Sequence, residues 1–243
     1  MKEFFKRYLL STTGALLGRL PVFLIPFALL AAGYSSKLAD QLILLLGLAW
    51  FFPLVLSNVF VDIFVHALES QKKIIQIRKW IFFVAGGALV PALISYGLMQ
   101  GHQLGESLAV FLSVYVSSFF GLVSTRSLAL KIVAQSELVA GLSNGTRIIV
   151  LIVLMASPDN AIEWSLAGAA LAELLRFFWL SNENLQPFSS DQQLPAGSLR
   201  LVGGALLVAG AQYAQRWIIF HAEHGHVLWY EIADKIYSLV ALG

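Results

Sequence analysis

Residues 41–61 carry no charged side chain, and neither do residues 80–98. Coiled as a helix with a rise of about 1.5 Å per residue, each run reaches roughly 30 Å, the thickness of a bilayer's hydrocarbon core. In water such runs would have to be wrapped by polar chain, and little is on hand: 58% of the 243 residues are hydrophobic and 12% are charged, where soluble domains carry about 25% charged residues. Lipid is the solvent that suits this chain. With no water to satisfy it, a backbone in lipid pairs its own N–H and C=O groups inside helices. The expected fold is therefore all-α, a polytopic membrane helix bundle.

Apolar periodicity and punctuation place about eight transmembrane helices, near 8–33, 41–66, 79–98, 108–133, 138–157, 161–180, 199–221 and 226–243. Short turns separate most of them, as at Gly33-Tyr34-Ser35-Ser36, Gly101-His102-Gln103 and Ser157-Pro158-Asp159-Asn160. The polar stretch 181–198, with Pro187 and Pro195, divides a six-helix lobe (1–180) from the first two helices of a second lobe (199–243), with 181–198 as a cytoplasmic linker. The N-terminus starts with a basic, signal-like segment, but the apolar run after it is long and has no clean cleavage site, so it reads as a retained helix. With that terminus inside, Lys2, Lys6, Arg7, Lys72, Lys73, Arg78, Lys79, Arg126, Lys131, Arg176 and Arg200 fall on the inner face, and Lys37 alone falls outside. This asymmetry predicts a multi-pass protein with a cytoplasmic N-terminus. The last helix ends at Leu242-Gly243 without a basic flank or polar tail, so the second lobe reads as incomplete.

Several chemistries are set aside. A formal charge of +2 without a basic, aromatic-interleaved tract does not suit nucleic acid. The absence of cysteine removes thiolate catalysis and cysteine metal sites. No helix places a histidine where it would activate a serine, so no enzyme and no cofactor are expected. The run His221-Ala222-Glu223-His224-Gly225-His226 has metal-ligand residue types, yet it forms the turn between the last two helices and reads as a solvated loop.

Charges inside helices are more informative, because an ionisable group at mid-bilayer costs about 2.5–3.5 kcal/mol unless it meets a cavity or a partner. Arg19, Arg147, Arg216 and Lys235 fall there. Arg19, beside Pro21, is placed to grip a phosphate bidentately, or else to pair with Asp40 or Asp234. Lys235, next to Asp234, reads as a switch or as an interhelical salt bridge. Arg216 lies in a polar stripe with Gln212, Gln215 and Tyr213, either binding cargo or snorkelling to headgroups beside Trp217. Arg147 follows Asn144 and Thr146 with the same two readings. Asp40 opens its helix, as a coupling site or as an N-terminal cap, while Glu173 and Arg176 form an ordinary i, i+3 pair.

The segment Gly14-Ala15-Leu16-Leu17 leading to Ala39-Asp40 is echoed by Gly204-Ala205-Leu206-Leu207 leading to Ala233-Asp234, as a second repeat of a two-lobed transporter would be. Gly14-Ala-Leu-Leu-Gly-Arg19, the turn Gly33–Ser36 and Ala39-Asp40 resemble the start of the MurJ and Wzx branch of the multidrug/oligosaccharidyl-lipid/polysaccharide flippases. Trp229-Tyr-Glu-Ile-Ala-Asp-Lys-Ile-Tyr237 is similar to that family's eighth-helix segment. The resemblance implies a V-shaped bundle with a cavity between helices one, two, seven and eight that receives the pyrophosphate of a lipid-linked sugar. It carries function to Arg19, Asp40, Asp234 and Lys235. A second arginine usual in MurJ proteins is Ile25 here, and their basic pair in the second helix is replaced by Phe51-Phe52-Pro53-Leu54, which loosens the peptidoglycan assignment toward a polysaccharide precursor.

The expected function is thus a flippase of the bacterial cytoplasmic membrane. It would move a lipid-linked anionic oligosaccharide, peptidoglycan or polysaccharide precursor by alternating access, with membrane lipids and a coupling ion as further partners. Substrate binding is assigned to Arg19, Lys235, Arg216 and Arg147, and coupling or ion pairing to Asp40 and Asp234. Two alternatives stand beside it: a cation-coupled drug or metabolite exporter, and a non-transporting membrane scaffold.

Overall fold

A computed structural model of the protein describes residues 2–51, 57–69, 77–99, 101–133, 138, 142–156, 159–181, 198–222 and 226–241. Among them are helices α1 (Lys2–Ala31), α2 (Ser36–Phe51), α3 (Ser57–Glu69), α4 (Ile77–Leu98), α5 (Leu104–Val133), α6 (Ile148–Ala156), α7 (Ala161–Ser181), α8 (Ser198–Ala222) and α9 (His226–Ala241). A 3-10 turn, Ser143–Arg147, leads into α6, and the described residues contain no strand.

Among the described residues, three helices are long and apolar enough to cross a membrane: Thr12–Ala31, Trp80–Leu98 and Leu104–Lys131. Only 28% of the Trp80–Leu98 window is buried within the protein. Phe82 and Leu93 on that helix stand 68% and 60% exposed. Contiguous apolar surface of this kind marks a membrane or protein contact, and with three such helices it points to a membrane protein.

The bundle is organised around α2, which touches α1, α4, α5, α7, α8 and α9. Leu42 to Leu46 and Leu48 to Trp50 are all buried, on every side of the helix. A helix that is apolar all round belongs at the centre of a bundle. Around it Val110 and Val114 of α5, Val150 and Leu154 of α6, Leu166 and Ala169 of α7, and Val227, Leu228 and Ile232 of α9 complete one core. A second core joins α3, α4 and α5, with Trp80 packed edge-on to Phe60 and Phe64 at 4.8 and 5.2 Å between ring centres.

The junction of α1 and α2 shows how local chemistry sets a turn. Gly33 adopts φ +72°, which a residue without Cβ tolerates. Its N–H donates to the Leu30 carbonyl at 3.2 Å while Tyr34 N–H donates to Leu29 at 3.3 Å, closing the end of α1 in a Schellman motif. The Tyr34 hydroxyl then donates to the Leu154 carbonyl at 3.0 Å, fastening the turn to α6.

Two expected helices fall partly outside the described residues. Of the helix anticipated at 41–66, α2 is described to Phe51 and α3 from Ser57, with 52–56 outside the described residues. Pro53 has no N–H to offer the Ala49 carbonyl one turn earlier. That carbonyl accepts from the Ser117 hydroxyl of α5 at 3.1 Å, with the Ser118 hydroxyl at 3.5 Å. Of the helix anticipated at 138–157, Leu138 and 142–156 are described, and Ser143–Arg147 within it form a 3-10 turn. There Ser143, Asn144 and Gly145 lower helix propensity, and the Thr146 hydroxyl bonds back to the Ser143 carbonyl at 3.1 Å. Of the expected linker 181–198, residues 182–197 lie outside the described residues.

Candidate functional site

Where α8 and α9 lean on α1 and α2, a cavity of about 240 Å³ is left between the four helices. Helix α1 contributes Val22, Ile25 and Pro26, and Pro26 withholds an N–H from the Val22 carbonyl at this wall. Helix α2 adds Ile43, Leu46, Gly47, Trp50 and Phe51. From α8 come Ala209, Gln212, Tyr213 and Arg216, and from α9 Glu231 and Lys235. The walls on α1 and α2 are apolar and aromatic. All the charge comes from α8 and α9.

That charge converges on one carboxylate. Glu231 Oε1 accepts a hydrogen bond from Arg216 Nε across the α8–α9 gap, and Oε2 lies 3.7 Å from Lys235 Nζ one turn along α9. Glu231 is 7% exposed at the side chain, against 27% for Arg216 and 23% for Lys235. Two cations and one anion thus line the pocket. Asp234 Oδ2 approaches Lys235 Nζ at 3.6 Å, but its side chain is 43% exposed and stays outside the cavity wall.

The aromatic side of the cavity is equally ordered. Phe51 meets Tyr213 edge-on, 6.4 Å between ring centres. Among the described residues, the Tyr213 hydroxyl and the Trp50 indole N–H are buried polar atoms without a protein partner. Buried donors are normally satisfied, so both represent unused hydrogen-bonding capacity at the cavity wall.

The expected site residues divide. Arg216 and Lys235 are brought together at Glu231, and Asp234 stands beside them at the rim. Arg19 does not line the cavity: it is exposed on α1 between Leu16 and Leu20, which are 61% and 47% exposed. It does lie on the helical stripe of Val22 and Pro26, three and seven residues on, one turn short of the pocket.

Arg147 is also absent from the cavity wall. It is 1% exposed and bound to Glu173, with Nη2 at 2.6 Å and Nε at 2.8 Å from Oε1. The Arg176 guanidinium takes Oε2 at 3.1 Å and reaches the Ser143 hydroxyl at 3.5 Å. What the sequence offered as a simple Glu173–Arg176 pair is a closed Arg–Glu–Arg triad, and its burial assigns Arg147 to holding the 3-10 turn against α7. Trp50 separates the triad from the cavity, with the Arg147 guanidinium 5.4 Å from its ring centre.

Asp40 is fully buried and acts on a helix other than its own: Oδ1 accepts the Leu228 N–H at 2.9 Å, in the first turn of α9. It does not open its own helix as the sequence suggested, since α2 starts at Ser36; it caps α9, across 188 residues of chain. By helix rise it sits ~12 Å along the bundle axis from Arg19, too far for the ion pair considered between them. Of the turn 221–226, residues 223–225 lie outside the described residues, and no cluster able to hold a metal occurs among those described.

Glu231 is the functional side chain that the sequence reading passed over. Its signal was present in the spacing: an acid four residues before Lys235 on one helical stripe is a ready-made partner. No family model matches the chain, and neither a curated protein nor a solved structure is detectably similar to it.

Proposed function

We propose that this membrane protein is a transporter for an amphipathic anion, in the manner of a lipid-linked glycan flippase. The observation that carries the reading is the pair of cations, Arg216 from α8 and Lys235 from α9, held on one carboxylate inside a cavity whose other walls are apolar and aromatic. A phosphate or pyrophosphate headgroup matches the cations, the aromatic side matches a sugar or a prenyl chain, and the seam between α1–α2 and α8–α9 is where such a molecule passes. Arg19, one turn from the pocket on the same stripe of α1, meets the headgroup at the mouth. In this reading the helices cross the bilayer as about eight spans with the N-terminus cytoplasmic, in a bacterial inner membrane. Neither alternative gains a specific observation: Asp40 is engaged as a cap on α9 and Asp234 stands at the rim.

The test is reconstitution in phosphatidylcholine vesicles. A short-chain polyprenyl diphosphate sugar added to one leaflet should become accessible to a sugar-oxidising enzyme on the other side. Arg216→Gln combined with Lys235→Gln should slow that appearance at least about tenfold, the loss expected for a charge-assisted phosphate contact. A rate equal to that of the unaltered protein, at equal incorporation, would remove the proposal.

A further inference from the structure

Glu231 is an anion already seated where the cargo's anion has to go. We propose that it is a built-in competitor: in the empty cavity its carboxylate occupies Arg216 and Lys235, a phosphate displaces it on loading, and its return to the two cations drives the cargo out. The inference rests on the reading of the cavity as an anion site and adds a role for the residue that site would otherwise have to exclude.

Geometry supports it in three ways. Each oxygen of Glu231 takes one cation, Arg216 on Oε1 and Lys235 on Oε2. Two oxygens of a phosphate are about as far apart as those of a carboxylate, so the cargo fits the same bracket without moving either helix. Arg216 uses Nε on Glu231, while a guanidinium carries five N–H donors, which lets an incoming oxygen engage before the resident one leaves. The enclosure of Glu231, at 7% exposure, keeps water from taking over its job as counterion.

A competitor of this kind predicts a signature that a merely structural ion pair does not. Removing it should tighten cargo binding and slow transport, because the site no longer refills itself. The measurement uses the full chain and one probe, didecyl phosphate, an anion with a fixed charge. Binding in detergent is read from the fluorescence of the protein's tryptophans, and movement in phosphatidylcholine vesicles from phosphorus NMR with a shift reagent outside. Glu231→Gln should bind the probe about tenfold tighter and move it several times more slowly. Glu231→Asp, which keeps the charge but draws it back by one methylene, should lie between the two and guards against a folding failure of the amide.

Unchanged or weaker binding in both variants overturns the competitor role, as does tighter binding with undiminished movement. These results leave the anion site standing so long as the unaltered protein binds and moves the probe and Arg216→Gln weakens both. An unaltered protein that neither binds nor moves didecyl phosphate removes the anion site and the competitor together.

Discussion

Replacing Glu173 by glutamine tests the buried triad. In the native protein Arg147, Glu173 and Arg176 are 1%, 0% and 1% exposed, and the single carboxylate answers both guanidiniums. The amide keeps the shape but removes the charge, leaving two cations facing each other without water. Loss of one partner of a buried ion pair costs about 3–5 kcal/mol, and at about 2–4 °C per kcal/mol for a chain of this size the melting temperature should fall by roughly 6–20 °C. Arg147→Met is the informative contrast. It discards a cation and its contact with Trp50, worth about 0.5–2 kcal/mol, but leaves Glu173 and Arg176 as a neutral pair, so its melting temperature should fall by less than half as much. Thermal unfolding in detergent, followed by tryptophan fluorescence with size-exclusion to confirm a folded starting state, ranks the two. If Glu173→Gln is as stable as Arg147→Met, charge balance does not govern this site and the account of the triad is wrong.

Two further outcomes follow from packing. Asp40→Ala removes the cap that α2 places on α9 and should cost about 0.5–2 kcal/mol, with amide exchange rising in the first turn of α9 around Leu228; protection unchanged there would show that the bond is idle. Gly14→Val would set a Cβ 3.0 Å from the Leu138 carbonyl oxygen and 3.2 Å from its Cα. Those are backbone atoms that cannot rotate away, so a loss of about 1–3 kcal/mol is expected, and a melting temperature equal to that of the native protein would mean that α1 does not lie this close.

Helix boundaries were legible where an apolar run met glycine, serine or asparagine. The segment read at 79–98 is α4, Ile77–Leu98, and that read at 199–221 is α8, Ser198–Ala222. Pro53 was visible too, but not that the Ala49 carbonyl, one turn before it, would be met by the serines of α5. Partnerships were harder, because a single chain does not announce which distant residues meet. Arg147 and Glu173 are separated by 26 residues, and Asp40 and Leu228 by 188. Depth alone therefore sorted the basic residues poorly: Arg147 and Arg216 looked alike in the sequence, yet one is sealed with Glu173 and the other opens on the cavity. The acid at Glu231 was hidden by its neighbour: Asp234 does approach Lys235, at 3.6 Å, but the helical spacing that also brings Glu231 to 3.7 Å was not read.

Helix α8 joins the two cores: Val202 and Ala205 lean on the one that contains Phe60 and Trp80, and Tyr213, Ile219 and Phe220 lean on the one around α2. The support near Phe220 is reinforced by the pinning of α9 to Asp40, whereas the one at Val202 and Ala205 offers two small side chains.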